Sequence, residues 1–340
     1  MLKGLILLIV LISLITTSFA NATEAWKVDR NPSLSSNGGV IAFERDSLIM
    51  VLFEKSKLIY SLTSQPYVTP NARKPIILGK PLWDDYMHEP AISPGLNMVA
   101  WRHDDIGAMY DFSNVYITNL KTGKITKLTT KGGSYPIWSP DGKWVAYIKS
   151  HELRAINIHT KKTKLLVSNL GDFDKLEWFG SGIATARLIN GNVAWYHINK
   201  DGTLKRITPL LRLPLLSKND KIFRVWDLSC DGKKAIYIDF VTSKVYNWFT
   251  FKKCTIHILT RYSNKIFVVS NLKWLEKKGW SPDPNDVSVT ISGNGNKFVM
   301  ALIGGLWKGD LKTGKIKLLT HTLYYMDADE YKNINSELLF

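Results

Sequence analysis

Two short stretches hold most of the residues suited to acid–base or metal chemistry. "WDDYMHEP" (83–90) supplies Asp84, Asp85, His88 and Glu89, and "RHDDIGAMYDF" (102–112) supplies His103, Asp104, Asp105 and Asp111. Carboxylates and imidazoles in such numbers suit a divalent cation, or the basic surface of a partner. Their spacing matches no ligand signature, and the same residues equally make a solvated acidic loop pair. No metal is therefore assigned. His88 and His103 are the only weak candidates for ligands, and no cofactor beyond such a cation is expected. Other catalytic patterns fail in turn. Gly180-Ser181-Gly182 lacks the spacing of G-x-S-x-G. His151-Glu152-Leu153-Arg154-Ala155 opens like H-E-x-x-H but has Ala155 where the second ligand belongs. There is no Gly-rich phosphate loop and no Cys/His zinc pattern, so a non-catalytic protein is the first expectation.

The elements that must position these residues follow from a repeat. "PIWSPDGKWVAYI" (136–148) places a Ser-Pro-Asp-Gly turn between two apolar runs. Related segments are "PSLSSNGGVIAFE" (32–44), "PAISPGLNMVAWR" (90–102), the degenerate "LEWFGSGIATARL" (176–188), "WDLSCDGKKAIYIDF" (226–240) and "VTISGNGNKFVMAL" (289–302). Gly and Asn supply positive φ at each turn, and Ser or Asp side chains bond its backbone. Apolar residues alternate after the turn with the period of a strand. A second hairpin follows each copy, as in "NVYITNLKTGKITKLTT" (114–130) and "GLWKGDLKTGKIKLLT" (305–320). Each unit thus holds four strands, A to D, in meander order. Six such units predict an all-β fold: a six-bladed β-propeller of four-stranded antiparallel meander blades.

Trp138-Ser139-Pro140-Asp141-Gly142-Lys143, followed by Val145-Ala146-Tyr147, resembles the repeat of TolB-type propellers. The same repeat occurs in the propellers of prolyl oligopeptidase relatives and in oligogalacturonate lyases. The resemblance extends as a pattern over about residues 24–325. It implies architecture, since one fold hosts many functions. TolB itself carries an α/β domain before its propeller. Here the repeat begins near the N-terminus, so the likeness is to the propeller without that domain. Oligogalacturonate lyases have a His near the axial end of an inner strand that helps bind a metal, and His88 is similar in place. That likeness implies a metal-dependent lyase or hydrolase acting on an anionic glycan as the alternative function, centred on His88 and His103.

In a meander blade the turns alternate between rims. The A–B and C–D turns share one rim, which gathers Lys121, Lys124, Lys161, Lys162, Lys312 and Lys315 among other lysines. This basic face would suit anionic lipid, a polyanion or an acidic protein, or simply protect sheet edges. It lacks the aromatic interleaving of a nucleic-acid groove, which makes nucleic acid an unlikely partner. The B–C loops and D–A connections share the other rim. There the acidic pair of loops meets Phe173, Trp226, Tyr246, Trp248, Trp280, Tyr324 and Tyr325. Exposed aromatics beside polar loops are used in protein recognition. The channel-mouth site is therefore assigned to Asp84, Asp85, His88, Glu89, His103, Asp104, Asp105, Trp226, Trp248 and Tyr324, with another protein as the expected partner.

The ends and the charge set the compartment. Lys3, the apolar run from Leu5 and Ala20-Asn21-Ala22 read as a cleaved export signal over 1–22. The propeller is expected over 23–325, and 326–340 form a tail. Formal charge is +16, and loss of Lys3 with the signal leaves +15. No other stretch is apolar enough to span a bilayer, so a periplasmic or secreted protein is expected. The ring is expected to close on the strand from Trp26 to Leu34 supplying blade 1. Cys230 and Cys254 are the two cysteines. They are placed at opposite ends of one blade, which argues against a disulfide.

Overall fold

A computed structural model describes residues 29–45, 48–62, 86–104, 113–130, 132–180, 182–214, 221–245, 248–269, 287–302, 305–313 and 315–320. The expected signal segment and C-terminal tail lie outside these residues, as do Asp84, Asp85, Asp105, Asp111, Tyr246, Trp280, Tyr324 and Tyr325.

The described strands form six antiparallel sheets in sequence order. Blade 1 comprises β1 (Asp29–Leu34), β2 (Val40–Arg45), β3 (Leu48–Phe53) and β4 (Leu58–Ser61). Blade 2 comprises β5 (Tyr86–Ile92), β6 (Met98–Asp104), β7 (Asn114–Asn119) and β8 (Ile125–Lys127). Blade 3 comprises β9 (Ser134–Trp138), β10 (Trp144–Lys149), β11 (Glu152–Asn157) and β12 (Thr163–Val167). Blade 4 comprises β13 (Lys175–Phe179), β14 (Gly182–Ile189), β15 (Asn192–Ile198) and β16 (Leu204–Arg206). A further short strand, β17 (Leu211–Arg212), also pairs with β15. Blade 5 comprises β18 (Lys221–Leu228), β19 (Lys234–Val245), β20 (Trp248–Thr260) and β21 (Asn264–Val269). Blade 6 comprises β22 (Ser288–Ile291), β23 (Lys297–Leu302), β24 (Gly305–Asp310) and β25 (Ile316–Leu318).

The repeated turn forms as its residue types require. In blade 3, Ser139 Oγ bonds Asp141 Oδ1 at 2.6 Å, the same carboxylate accepts Lys143 N–H, and Gly142 has φ of 67°. Ser229, Asp231 and Gly232 rebuild it in blade 5, and Ser292, Asn294 and Gly295 in blade 6. The neighbouring C–D turn docks on it. Backbone bonds join Leu120 to Asn97, Ile158 to Lys143 and Leu311 to Asn296. A–B and C–D turns therefore share a rim, and all six lysines expected there are exposed on it. Lys161, partly desolvated and repelled by Lys124 of the neighbouring blade, has its pKa lowered.

The core is six apolar wedges, each filling one junction between neighbouring blades. Trp101 packs with Val51 and Ile49 between blades 1 and 2, and Tyr147 with Val115 between blades 2 and 3. Leu153 and Leu176 meet between blades 3 and 4, and Trp195 and Tyr237 between blades 4 and 5. Ile236 and Met300 join blades 5 and 6, and Phe43 and Val299 join blades 6 and 1. Six wedges for six sheets make a closed ring, because burying both faces of every sheet needs a neighbour on each side.

Among the described residues the ring shuts without strand exchange: β1 belongs to blade 1, β22 to β25 belong to blade 6, and the two meet through side chains. Lys308 bonds Gly38 O and, at 2.5 Å, Glu54, and Lys317 reaches the same carboxylate at 2.7 Å. Thr320 Oγ1 donates to Asp29, itself paired with Arg45, and Asn31 N–H donates to Ser288 Oγ at 3.1 Å. Cys230 carries a free thiol, and burial pushes its pKa up to about 11.

Candidate functional site

The inner strands of blades 1, 2 and 3 share an irregularity that leads to the site. Register slips by one residue between Arg30 and Ser33, between His88 and Ala91, and on β9 where Ser134 pairs Ile148 and Ile137 pairs Ala146. Each slip contains an X-Pro pair: Asn31-Pro32, Glu89-Pro90 and Tyr135-Pro136. Proline cannot donate to the ladder, so it marks a bulge. The residue before it takes positive φ: 44° at Asn31, 55° at Glu89 and 51° at Tyr135. A non-glycine residue in that region costs of order 1–3 kcal/mol and persists where its surroundings hold it.

What holds each bulge is an acceptor from the preceding blade. Asn31 N–H goes to Ser288 Oγ; Glu89 N–H to Glu44 Oε1 at 2.7 Å; Tyr135 N–H to Glu89 Oε2 at 2.5 Å. Glu44 also accepts Asn31 Nδ2 at 2.9 Å and lies 3.2 Å from His88 Nδ1. Arg102 bridges Glu89 at 2.6 Å and Asp104 at 2.8 Å, and His88 Nε2 is 3.9 Å from Asp104. Burial pushes the Glu89 carboxyl up to about 7, against the pull of Arg102 and the Tyr135 N–H.

This relay fixes Tyr135, 44% exposed, at the rim of a cleft of about 620 Å³ between blades 3 and 4. Phe173 meets the Tyr135 ring edge-on, centroids 5.3 Å apart. Lys149, His151, Leu170 and Asp172 complete its wall, with Gly132, Gly133 and Gly171 beside them. Ser150 and His151 turn β10 into β11 with φ of 46° and 63°. Paired positive φ defines a type I′ turn, which Asn-Gly suits best. Blade 4 uses that preferred pair, Asn190-Gly191, at the same position. Three strained non-glycine residues, Tyr135, Ser150 and His151, thus line one cleft.

The expected site residues separate in the structure. His88, Glu89 and Asp104 come together in the relay. His103 does not join them. His88 pairs with Arg102 across the β5–β6 ladder and His103 with Met87, so strand alternation sends the two imidazoles to opposite faces. His103 is buried, with its ring centroid 6.2 Å from Trp101 and 5.3 Å from Tyr116. The pairing of His88 with His103 as metal ligands is corrected accordingly. Among the described residues no three His, Cys, Asp or Glu side chains are grouped to hold a metal ion. Trp226 is also corrected: β18 begins at Lys221, so Trp226 lies near the A–B turn and packs half-buried against the blade 4–5 wedge. Trp248 begins β20 at the B–C hairpin, on the mouth rim. Phe173 stands at the mouth as expected. Glu44, Arg102 and Tyr135 carry the arrangement, and sequence reasoning missed them. The recurrent X-Pro pair in the first three repeats is the signal that marks Tyr135.

Fold and site together define a six-bladed propeller with a strained, aromatic cleft on one rim. Solved structures similar to the chain include TolB from Acinetobacter baumannii, at 16% identity and a TM-score of 0.45, over 84% of this chain and 61% of that one. An oligogalacturonate lyase from Vibrio parahaemolyticus matches at 12% and 0.42, over 86% and 79%. The β-propeller domain of the Trilobed protease from Pyrococcus furiosus matches at 15% and 0.36, over 70% and 85%. The chain spans less than two thirds of the length of that TolB. No family model and no curated protein matches it.

Proposed function

We propose that the protein is an exported, non-catalytic propeller that binds a segment of another protein at its mouth, in the cleft between blades 3 and 4. One observation carries this reading: Tyr135, Ser150 and His151 hold positive φ around a single cleft, and the Tyr135 N–H is tied to the half-buried Glu89 carboxylate. Strain of this kind gathers where a surface must be presented in one conformation. A rigid aromatic then binds with little loss of side-chain freedom. Export rests on the N-terminal signal pattern; among the described residues no helix is long and apolar enough to cross a membrane.

Crosslinking in the native envelope, followed by capture of the tagged chain, tests the reading. Tyr135→Ala and Phe173→Ala should each reduce recovery of the same partner at least about tenfold, as expected for aromatic anchors at the centre of a contact. Lys312→Ala, on the opposite rim, should leave it unchanged. Recovery indifferent to both aromatic substitutions would overturn the assignment. Manganese-dependent cleavage of a uronate polymer by the purified chain would overturn its non-catalytic part.

A further inference from the structure

The outer edge of blade 4 differs from the rest of the described surface. Of the eight large hydrophobic residues exposed among the described residues, five belong to this blade: Leu188, Ile189, Leu204, Ile207 and Leu210, each 36–43% exposed. Strand pairing brings them onto one margin. β16 lies beside β15 with Leu204 opposite Ile198, and Ile207 N–H continues the ladder to Trp195 O. β17 pairs with β15 next to the β14–β15 hairpin, whose tip carries Leu188 and Ile189. Leu210 immediately precedes β17. The aliphatic band therefore runs from the C–D turn to the mouth rim. Exposed cations run with it: Lys200, Lys205, Arg206 and Arg212. The acids beside it are Asp201, bonded to Thr203, and Asp174, which accepts Leu188 N–H and lies 3.8 Å from Arg187.

We propose that this edge docks on an anionic phospholipid bilayer, with the five aliphatic side chains entering the interface and the four cations meeting lipid phosphates. Charge selects this occupant. A second copy adding to the exposed edge of β16 would set Lys205 and Arg206 against cations of the same kind, which opposes pairing. None of the five lines the cleft between blades 3 and 4. A fluid lipid surface needs no matching shape, and aliphatic side chains flanked by Lys and Arg are the composition that binds it.

Hydrogen exchange on the full chain reads the contact locally. Amides of residues 203–212 should slow on addition of phosphatidylcholine vesicles containing phosphatidylglycerol. They should not slow with phosphatidylcholine alone, and amides of the corresponding turn of blade 6 should be unchanged with either. Lys205→Glu with Arg206→Glu should weaken anionic-vesicle binding at this edge at least about 30-fold, from roughly 1 kcal/mol for each basic residue near the surface. Leu204→Ser, Ile207→Ser and Leu210→Ser together should abolish the local slowing while salt-sensitive attraction persists. All five positions are on the surface, and an unchanged thermal midpoint confirms that the variants fold. Slowing in every lysine-bearing turn alike would overturn the proposal. So would slowing that appears without vesicles as protein concentration rises, which would mean self-association. Protection of 203–212 by an acidic protein but not by anionic vesicles would overturn it as well.

Discussion

Blades 1–3 and blades 4–6 solve the same problem differently. Both halves must satisfy inner-strand backbone groups where neighbouring blades meet around the axis. In the first half each inner strand bulges at an X-Pro pair, and the residue before proline donates its N–H to the preceding blade. In the second half β13, β18 and β22 pair without slippage. One buried carboxylate does the joining there: Asp227 accepts Lys175 Nζ and Ile291 N–H, each at 2.6 Å, and so ties blades 4, 5 and 6. These strands keep a regular register. Bulged strands re-aim one residue per blade, and at blade 3 that residue is the exposed Tyr135. The comparison separates a half built for presentation from a half built for cohesion.

The largest effect should come from breaking the cohesive half. Asp227→Ala leaves Lys175 without its closest partner and the Ile291 N–H without its acceptor, and should destabilise by about 3–5 kcal/mol. Urea midpoints measure it; a loss under about 1 kcal/mol would deny Asp227 the joining role.

The presenting half should respond next, through pH. The folded Glu89 carboxyl titrates at about 7, against 4.5 for the ordinary group. The folded state therefore holds this proton more tightly than the unfolded chain. Its stabilising share is complete below pH 4.5 and is lost as pH rises through 7, amounting to as much as about 3 kcal/mol at 1.36 kcal/mol for each pH unit. Glu89→Gln should flatten stability between these limits. A slope unchanged by the substitution would place the titration elsewhere.

The seam between the halves' outer ends should matter less. Glu54→Ala removes the carboxylate shared by Lys308 and Lys317, and should cost about 1–2 kcal/mol. The two lysines lower the Glu54 pKa against its partial burial, so this contribution holds above the ordinary value of 4.5 and disappears as acid protonates the folded group. A chemical melt at neutral pH and at pH 3 distinguishes the two states. Smallest of all, Lys121→Gln should change stability by no more than about 0.5 kcal/mol, as for an exposed turn residue without a buried contact.

Much of the architecture was legible because it is local. Ser139, Asp141 and Gly142 build their turn from neighbours in the chain, and the same types recur with variation in blades 1, 2, 5 and 6. The rim of each turn followed from meander order, which is why Lys121, Lys161 and Lys312 lie where expected. The site was less legible because its contacts are between blades. Glu44 and Arg102 look like ordinary strand residues, and only the stacking of blades 1, 2 and 3 brings one carboxylate to the next bulge. Sequence proximity groups His88 and His103 by loop, whereas the pleat of two paired strands separates them. The repeat places Trp226 at the start of its strand, but β18 starts five residues earlier than the repeat suggests, which slides the tryptophan toward the far rim.

The way the ring shuts has a mechanical consequence. The polypeptide itself crosses five of the six junctions, whereas among the described residues blades 6 and 1 are held by packing, the Gly38 carbonyl, Glu54, Asp29 and Ser288. Tension applied through the two ends would part that clasp before any sheet unzips, so the disc should spring open as a curved strip of intact blades. A force trace with a small early step ahead of the large unfolding events would be its signature.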